Sequence, residues 1–169
     1  MFINLNYLNL SNNNLSGTIP HELGNLTSLK YLNLSFNQLS GNIPHTIGNL
    51  INLEEVRLFH NELIGSIPEE LGNLNDLIHL NLRNNNLTGH IPYTIGNLSS
   101  LEILYLHNNN LSGSIPLEIF ELASLKNLFL HNNQLSGELN QNIVNLQSLE
   151  RFRIEENNLS GIIPQQICD

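Results

Sequence analysis

The chain has 169 residues, a formal net charge of −9 and a charged fraction of 12%, about half that of an ordinary globular domain. Six lysines and arginines against fifteen acids argue against a nucleic-acid surface, and no apolar run is long enough to span a membrane. A single cysteine, Cys168, excludes an internal disulfide, so we expect it to be a small apolar side chain.

A period of 24 residues runs through the whole chain. All six prolines, from Pro20 to Pro164, are separated by multiples of 24 residues, and the eleven glycines fall into two phases of the same period. Strict recurrence of this kind is typical of solenoids, in which each unit packs only on its neighbours. We therefore predict one solenoid domain over residues 1–169, with seven units that begin at Leu5, Leu29, Leu53, Leu77, Leu101, Leu125 and Leu149.

The first part of each unit predicts a short strand. In residues 29–52 the segment "LKYLNLS" alternates apolar and polar side chains, which is typical of a half-buried strand. Leu32 and Leu34 are predicted to point inward, whereas Tyr31 and Asn33 are predicted to point outward. One such strand cannot bury its apolar face alone, but stacked copies form a continuous core.

Three further residues follow the strand in chain order. An inward asparagine comes first, and we expect its amide to satisfy buried backbone groups from coil to coil. A glycine then suits a backbone conformation that a Cβ would strain, and a proline marks a place where no backbone N–H is needed. The predicted structural ladder consists of Asn13, Asn37, Asn61, Asn85, Asn109, Asn133 and Asn157.

The pattern LxxLxLxxNxLxGxIPxxIGxL resembles the leucine-rich repeat, and its "LSGxIP" half resembles the plant-specific class of that repeat. The resemblance covers the whole chain. It implies an α/β-type solenoid of mostly short parallel strands, wound as a right-handed superhelix. The strands would line the concave side, and the second half of each unit would form a second short strand or a 3₁₀ turn on the irregular convex side.

Four positions of each unit, the third, fifth, seventh and eighth, are predicted to face the concave solvent. These 28 positions hold all four arginines and three acids, a formal charge of +1, whereas the other residues hold two lysines and twelve acids, a charge of −10. Binding surfaces favour aromatic and arginine side chains, although small numbers leave an accidental sorting open. The predicted ligand-binding residues are Arg57, Phe59, His79, Arg83, Tyr105, His107, Phe129, His131, Arg151 and Arg153.

Arg151 and Arg153 share one face of the last predicted strand, because residues two apart point the same way. Arginine suits a bidentate grip on a carboxylate. In the plant receptor kinases that this chain resembles, a matching "RxR" pair contacts the free C-terminal carboxylate of a peptide, so the resemblance implies that role here. Glu155 and Glu156 follow at once, and an internal Arg/Glu network is the alternative. Seven strands would accommodate about nine extended residues.

His107 and His131 occupy equivalent positions on adjacent predicted strands. No cysteine or convergent acid completes a ligand set around them, so we predict no metal and no other cofactor. Histidine titrates at mildly acidic pH, and we therefore expect the affinity for a partner to change between about pH 5 and pH 7.

Eight Asn-x-Ser/Thr sequons occur in the chain, and such sequons suit a secreted surface. The same triplets are built into the repeat, which is the alternative explanation. Asn9 and Asn33 fall on the predicted concave face, where a glycan would obstruct the first two strands. The other six are the predicted glycosylation candidates, namely Asn14, Asn25, Asn86, Asn97, Asn110 and Asn158.

These features favour recognition over catalysis. The sequence has no phosphate-binding loop, no HExxH motif and no nucleophile elbow, so we predict that the chain is not an enzyme. The resemblance implies a peptide- or protein-recognition module, the ligand- or co-receptor-binding part of a plant receptor-like kinase or receptor-like protein in signalling, defence or development. Relatives of the first kind carry a serine/threonine kinase domain, whose motifs do not occur in these residues.

Two alternatives stay open at this point. A soluble inhibitor or decoy resembling plant polygalacturonase-inhibiting proteins would use the same repeat, and a truncated fragment would have no function. Neither end carries a polar cap or a signal peptide, so we expect a fragment of a larger ectodomain, extracellular or at the plasma-membrane surface by resemblance. The predicted partners are a peptide or protein ligand and a leucine-rich-repeat co-receptor.

Overall fold

The computed structural model describes residues 4–167, so Cys168 lies outside the described residues. The backbone passes seven times through the same three elements: a short strand, a second short strand and a 3₁₀ helix. No α-helix occurs within residues 4–167. The predicted solenoid of short parallel strands is confirmed, and its second half contains both a strand and a 3₁₀ helix in each unit.

The first sheet is parallel and has seven strands of three residues each. Every residue lies opposite its counterpart 24 positions further on, as Tyr7 lies opposite Tyr31. The strands in order are β1 (Tyr7–Asn9), β3 (Tyr31–Asn33), β5 (Glu55–Arg57), β7 (His79–Asn81), β9 (Ile103–Tyr105), β11 (Asn127–Phe129) and β13 (Arg151–Arg153).

The second sheet is also parallel and has seven strands. Its register differs from that of the first sheet, because Ser16 lies opposite Gln38, which is 22 positions further on. The strands in order are β2 (Ser16–Thr18), β4 (Gln38–Asn42), β6 (Glu62–Gly65), β8 (Asn86–Gly89), β10 (Asn110–Gly113), β12 (Gln134–Glu138) and β14 (Asn158–Ser160).

A 3₁₀ helix closes each unit. Pro20 stands just before the first one with φ of −68°, which its ring enforces, and its carbonyl accepts a hydrogen bond from the Leu23 amide at 3.1 Å. Asn140 takes the proline position in the sixth unit, and its side chain caps the helix by accepting from the Asn142 amide at 2.8 Å. Within the described part of the chain, no helix is long and apolar enough to cross a membrane. The 3₁₀ helices are His21–Asn25, His45–Asn49, Glu69–Asn73, Tyr93–Asn97, Leu117–Glu121, Gln141–Asn145 and Gln165–Ile167.

The core is one continuous column of apolar side chains, mostly leucine and isoleucine, between the two sheets and the 3₁₀ helices. In the third unit Leu53, Val56, Leu58, Leu63 and Leu71 are all fully buried, and each such side chain contributes about 1.5–3 kcal/mol relative to exposure. The alternation read from the sequence therefore sends these side chains inward, and the neighbouring coils cover them.

Asparagine side chains join successive coils beneath the turn that follows each strand of the first sheet. Asn85 Nδ2 donates to the carbonyl oxygens of Leu58 at 3.1 Å and Leu82 at 3.0 Å. Its Oδ1 accepts from the Leu63 amide at 3.1 Å. One amide thus satisfies backbone groups in its own coil and in the preceding one, where an unpaired group would be costly. The same arrangement recurs at Asn37, Asn61, Asn109, Asn133 and Asn157.

Glycine in the 3₁₀ helices lets the coils pack closely. A Cβ built on Gly72 would lie 2.4 Å from the carbonyl oxygen of Thr94 in the next coil, far inside van der Waals contact. Phe120 occupies the same phase in the fifth unit and is almost completely buried, and Val144 occupies it in the sixth unit with its side chain largely exposed. The close approach of glycine to the next coil is therefore a feature of the first four units.

Candidate ligand-binding face

The outward side chains of the first sheet and of the turn that follows each strand form columns along the array. We call this surface the first-sheet face. It contains all ten predicted ligand-binding residues, at the third, fifth and seventh positions of their units. The expectation that all these columns are open to solvent is wrong, because Asn33, Ser35, Asn81, His107 and His131 are buried. Neighbours cover them; Asn33, for example, accepts from the Ser35 hydroxyl at 2.6 Å and donates to the Tyr31 hydroxyl at 3.2 Å.

The eighth position of every unit has a left-handed backbone, which the sequence analysis missed. Its φ values lie between 54° and 57° from Asn12 to Glu156. Asparagine tolerates this conformation better than most residues, and four of the seven residues there are asparagine, which was the available signal. Phe36 and His60 adopt it too, and their rings stack with centroids 4.5 Å apart.

The eighth-position amides also form a chain across three units. Asn84 Nδ2 lies 2.8 Å from His60 Nε2. Asn108 Nδ2 donates to Asn84 Oδ1, and Asn132 Nδ2 donates to Asn108 Oδ1 at 2.7 Å. Because each amide is oriented by the one before it, this edge of the first-sheet face is polar and ordered.

Aromatic rings and guanidinium groups lie beside one another on the first-sheet face. The Arg83 guanidinium lies 4.7 Å above the centre of the Phe59 ring, and the Tyr105 and Phe129 rings stack with centroids 4.6 Å apart. Arg153 lies 5.7 Å from the Phe129 ring. Such cation–π contacts contribute about 0.5–1 kcal/mol at exposed sites, and they hold flat apolar surfaces beside positive charge.

Glu55 lies in the third unit and contacts side chains of the third and fourth units. Its Oε1 accepts from Arg57 Nε at 2.6 Å and lies 2.9 Å from His79 Nδ1. Burial lowers the pKa of His79 below its usual value, although the Glu55 carboxylate opposes that shift. Arg57 and His79 are therefore already engaged by a carboxylate of the chain itself.

The two arginines of β13 differ in their partners. Arg153 Nε donates to Glu155 Oε1 at 2.8 Å, and its own amide and Arg153 hold the pKa of Glu155 below the usual range. Arg151 forms no ion pair with any acid in the described part of the chain. The predicted internal network thus involves one arginine of the pair, and the other is left exposed.

His107 and His131 stack on each other with ring centroids 4.3 Å apart and an interplanar angle of 16°. Each residue is only 6% exposed. Burial, followed by the charge of His131, lowers the pKa of His107 to about 4, and burial also lowers the pKa of His131. Both rings are therefore neutral near pH 7.

Buried polar atoms without a hydrogen-bond partner collect in one part of the first-sheet face. Native structures pair most such atoms, so a cluster of exceptions suggests where water or a ligand supplies the missing bonds. Among the described residues these side-chain atoms are His79 Nε2, Arg83 Nε, His107 Nδ1, Asn127 Oδ1, His131 Nδ1 and Asn132 Oδ1. All belong to the fourth, fifth and sixth units.

A groove lies elsewhere in the described structure, along the prolines that precede the 3₁₀ helices. It has a volume of about 950 Å³ and is lined by Pro44, Pro68, Pro92, three glutamates and two histidines, with no lysine or arginine. We locate the candidate site on the first-sheet face instead, because the arginines and the stacked aromatic rings collect there.

The sequon asparagines differ in their exposure to solvent. Asn33 is buried and hydrogen-bonded, so its amide is not available to a glycan. The six glycosylation candidates named from the sequence, from Asn14 to Asn158, are all exposed.

Comparison with known proteins gives a consistent result. Family models described as leucine rich repeat match residues 2–39, 51–111, 79–135 and 148–169. A search of curated proteins finds no match. Among solved structures, the plant peptide hormone receptor RGFR1 in complex with RGF2 is 42% identical with a TM-score of 0.95, over 96% of this chain and 26% of that one.

Two further structures extend the comparison. The ectodomain of the Arabidopsis thaliana receptor kinase GASSHO1/SCHENGEN3, in complex with CASPARIAN STRIP INTEGRITY FACTOR 2, is 37% identical (TM-score 0.92; 94% of this chain, 19% of that one). The Arabidopsis receptor kinase HAESA, in complex with the peptide hormone IDA and the co-receptor SERK1, is 30% identical (TM-score 0.69; 97% and 36%). The chain thus spans only about a fifth to a third of these structures. From the family matches and these identities, the chain belongs to the leucine-rich repeat family.

Proposed function

We propose that the chain is a peptide-recognition module from the extracellular part of a plant receptor-like kinase or receptor-like protein. Its ligand is an extended peptide, and its further partner is a leucine-rich-repeat co-receptor. The observation that carries the proposal is the collection of all four arginines and six of the ten aromatics on the first-sheet face. No catalytic role is assigned to the chain.

The peptide is proposed to lie across the strands of the first sheet. The seven strands extend over about 29 Å, the length of about nine extended residues. Tyr31, Phe59, Tyr105 and Phe129 offer flat surfaces along that line, and aromatic residues of this kind carry much of the energy of peptide and protein interfaces. The similarity to receptors solved with peptide hormones supports the same mode.

The C-terminal carboxylate of the peptide is proposed to bind at β13. Arg151 is exposed and has no acid partner among the described residues, so it can donate two parallel hydrogen bonds to a carboxylate. Arg153 lies on the same face but is shared with Glu155. Arg151 therefore provides the main contact, and Arg153 contributes through its charge.

Calorimetric titration of peptides with free and amidated C-termini tests this docking. Synthetic nine-residue peptide libraries would first supply a binder with a free carboxylate. Arg151→Ala together with Arg153→Ala should weaken the binding of that peptide by about tenfold or more, since a hydrogen bond to a charged group is worth about 1.5–3 kcal/mol. The double variant should leave the weaker binding of the amidated peptide nearly unchanged.

Lys126→Ala is the matched control. Lys126 is also a cation, but it precedes β11, is not one of the predicted ligand-binding residues, and pairs with Glu102 at 2.9 Å. It should leave both affinities as they are. If the free and amidated peptides bind the unmodified chain equally well, the proposed docking is wrong.

A further inference from the structure

The stacked imidazoles His107 and His131 each have one nitrogen that is sealed off without a partner. Nδ1 of both rings is buried and makes no hydrogen bond within the described structure, whereas Nε2 of neither ring is sealed in this way. The edges of the rings meet Tyr105 and Phe129 on one side. The pair is thus fixed by its aromatic neighbours, with one ring nitrogen of each available.

The position of the proton on each ring follows from this packing. A proton on Nδ1 would be a buried donor with no acceptor, and such orphaned donors are rarer than orphaned acceptors. The neutral rings therefore carry their proton on Nε2. The pair accordingly offers two N–H donors, on rings whose centroids are 4.3 Å apart.

Arg83 extends the same column by one unit. Its guanidinium lies over the Phe59 ring, and it forms no ion pair with an acid of the described chain. Its Nε is buried without an acceptor. Three consecutive units thus offer donors alone, and the next residue of the column, Glu155, is already bound to Arg153.

We propose that Arg83, His107 and His131, which we call the donor row, bind a carboxylate on an internal aspartate or glutamate of the peptide. This inference rests on the proposed peptide-binding function and adds a requirement on the ligand. Neutral imidazole N–H groups and an arginine suit an anionic oxygen acceptor, and the apolar rings around them lower the local dielectric and strengthen such bonds.

The position of the acid in the peptide follows from the sheet geometry. Arg151 is three strands from the strand that precedes Arg83 and one strand from the strand that precedes His131. With about 4.8 Å between strands and about 3.3 Å per residue along them, the donor row lies about 14–20 Å from Arg151. The internal acid therefore belongs about four to six residues before the C-terminus.

Selection from a randomised nine-residue library with free C-termini tests the requirement. The unmodified full chain should enrich aspartate or glutamate about four to six residues from the C-terminus. The double variant His107→Phe and His131→Phe keeps two stacked rings but removes both N–H groups. It should lose this enrichment, still bind the free form of the selected acidic peptide more tightly than its amidated form, and bind that peptide about tenfold to hundredfold more weakly than the unmodified chain does.

The library, followed by amidated copies of the selected peptides, separates the two proposals. Selected peptides that lack an internal acid but bind more tightly with a free than with an amidated C-terminus would overturn the donor row and leave the docking at Arg151 intact. Enrichment of the internal acid with equal binding of amidated peptides would overturn the docking at Arg151 and support the donor row.

A measurement on the full chain without any peptide provides a second test. The ¹⁵N spectra of the imidazoles should show the Nε2–H tautomer for both His107 and His131. Titration with sodium acetate should shift these two Nε2–H resonances, and Arg83→Gln should reduce the shift. A proton on Nδ1 in either ring, or no shift with acetate, would overturn the proposal whatever the library selects.

Discussion

Arg153 donates from Nε to Glu155 Oε1 across 2.8 Å, whereas Arg151, which shares its face of β13, has no acid partner among the described residues. The two arginines stand two residues apart on the same face but differ in their partners. Glu155 competes for the charge that a peptide carboxylate would use, and its own amide and Arg153 keep its pKa low. The carboxylate site therefore contains a built-in competitor.

Replacing that competitor should strengthen binding. Glu155→Gln removes the negative charge beside Arg153, so the affinity for a peptide with a free C-terminus should rise by up to about fivefold, the range expected for one exposed ion pair. Surface plasmon resonance at low salt would measure it. Glu156→Gln is the control, because Glu156 forms no ion pair within the described structure. A weaker affinity in Glu155→Gln would mean that Glu155 itself contacts the ligand.

The stability of the chain should fall in mild acid because of His107. Its pKa is about 4 in the folded chain, against about 6.5 in an unfolded one. Between these values the unfolded chain binds more protons, so the free energy of unfolding decreases as the pH falls from about 6.5 to about 4. The groups that lower its pKa after burial are His131, Arg83 and Arg153, and Glu155 opposes them.

Melting temperatures of the unmodified chain and of His107→Gln, measured across that pH range, check this prediction. The unmodified chain should lose more of its melting temperature than the variant. His21→Gln is the matched control, since it also replaces one histidine by glutamine but at an exposed position outside the stacked pair. Equal slopes in the unmodified chain and in His107→Gln would contradict the assignment.

Loss of a ladder asparagine should destabilise the array strongly. Asn85→Ala leaves the carbonyls of Leu58 and Leu82 and the amide of Leu63 without the Asn85 amide as a partner. Buried groups that lose partners cost about 1–3 kcal/mol each, so the free energy of unfolding should fall by about 3 kcal/mol or more. Urea denaturation followed by circular dichroism would measure it. Asn86→Ala, one residue on and exposed, should change it by less than about 0.5 kcal/mol.

A methyl group at the glycine phase of the 3₁₀ helices should also be costly. The new Cβ of Gly72→Ala would meet the Thr94 carbonyl oxygen at 2.4 Å, and overpacking of this kind costs about 1–3 kcal/mol. Val144→Ala changes the same phase in the sixth unit, where the side chain is largely exposed, and should be nearly neutral. Thermal melting of both variants would show whether the loss of stability comes from close packing against the next coil or from the position in the repeat alone.

Glycan occupancy should follow exposure rather than the sequon. In protein from a secretory host, Asn33 should remain unmodified, because it is buried and bonded to Tyr31 and Ser35. Asn86 and Asn110 are exposed on the second sheet and should carry glycans. Mass spectrometry of glycopeptides would measure each site. A glycan on Asn33 would mean that this asparagine is modified before β3 forms.

The sequence predicted the frame of the fold well because the frame is repeated. Leu32 and Leu34 each have counterparts in the other six units, so the period identifies inward positions without any knowledge of three-dimensional contacts. The proline and glycine phases likewise mark the 3₁₀ helices and the positive φ angles in or just after the second strand of each unit, as at Gly41 within β4 with φ of 71°. Recurrence converts weak local preferences into a reliable pattern.

The chemistry of the candidate site was less predictable because it depends on neighbours that differ from unit to unit. The burial of His107 follows from Tyr105, Phe129 and His131 around it, and no periodicity encodes that combination. The unequal partners of Arg151 and Arg153 depend on side-chain conformations. The left-handed eighth position had a signal in its asparagines, but Phe36 and Glu156 at the same position obscured it.

The register of the first sheet allows the length of the first-sheet face to change by whole repeat units. Because Glu55 meets His79 and His79 meets Ile103 at matching positions, excising residues 77–100 would join two equivalent points of the coil and bring β5 beside β9. The distance between Arg57 and Arg151 across the sheet would decrease by one strand spacing, about 4.8 Å. Removing or adding whole units would therefore fit the array to shorter or longer peptides, and the contacts inside each remaining coil would stay the same.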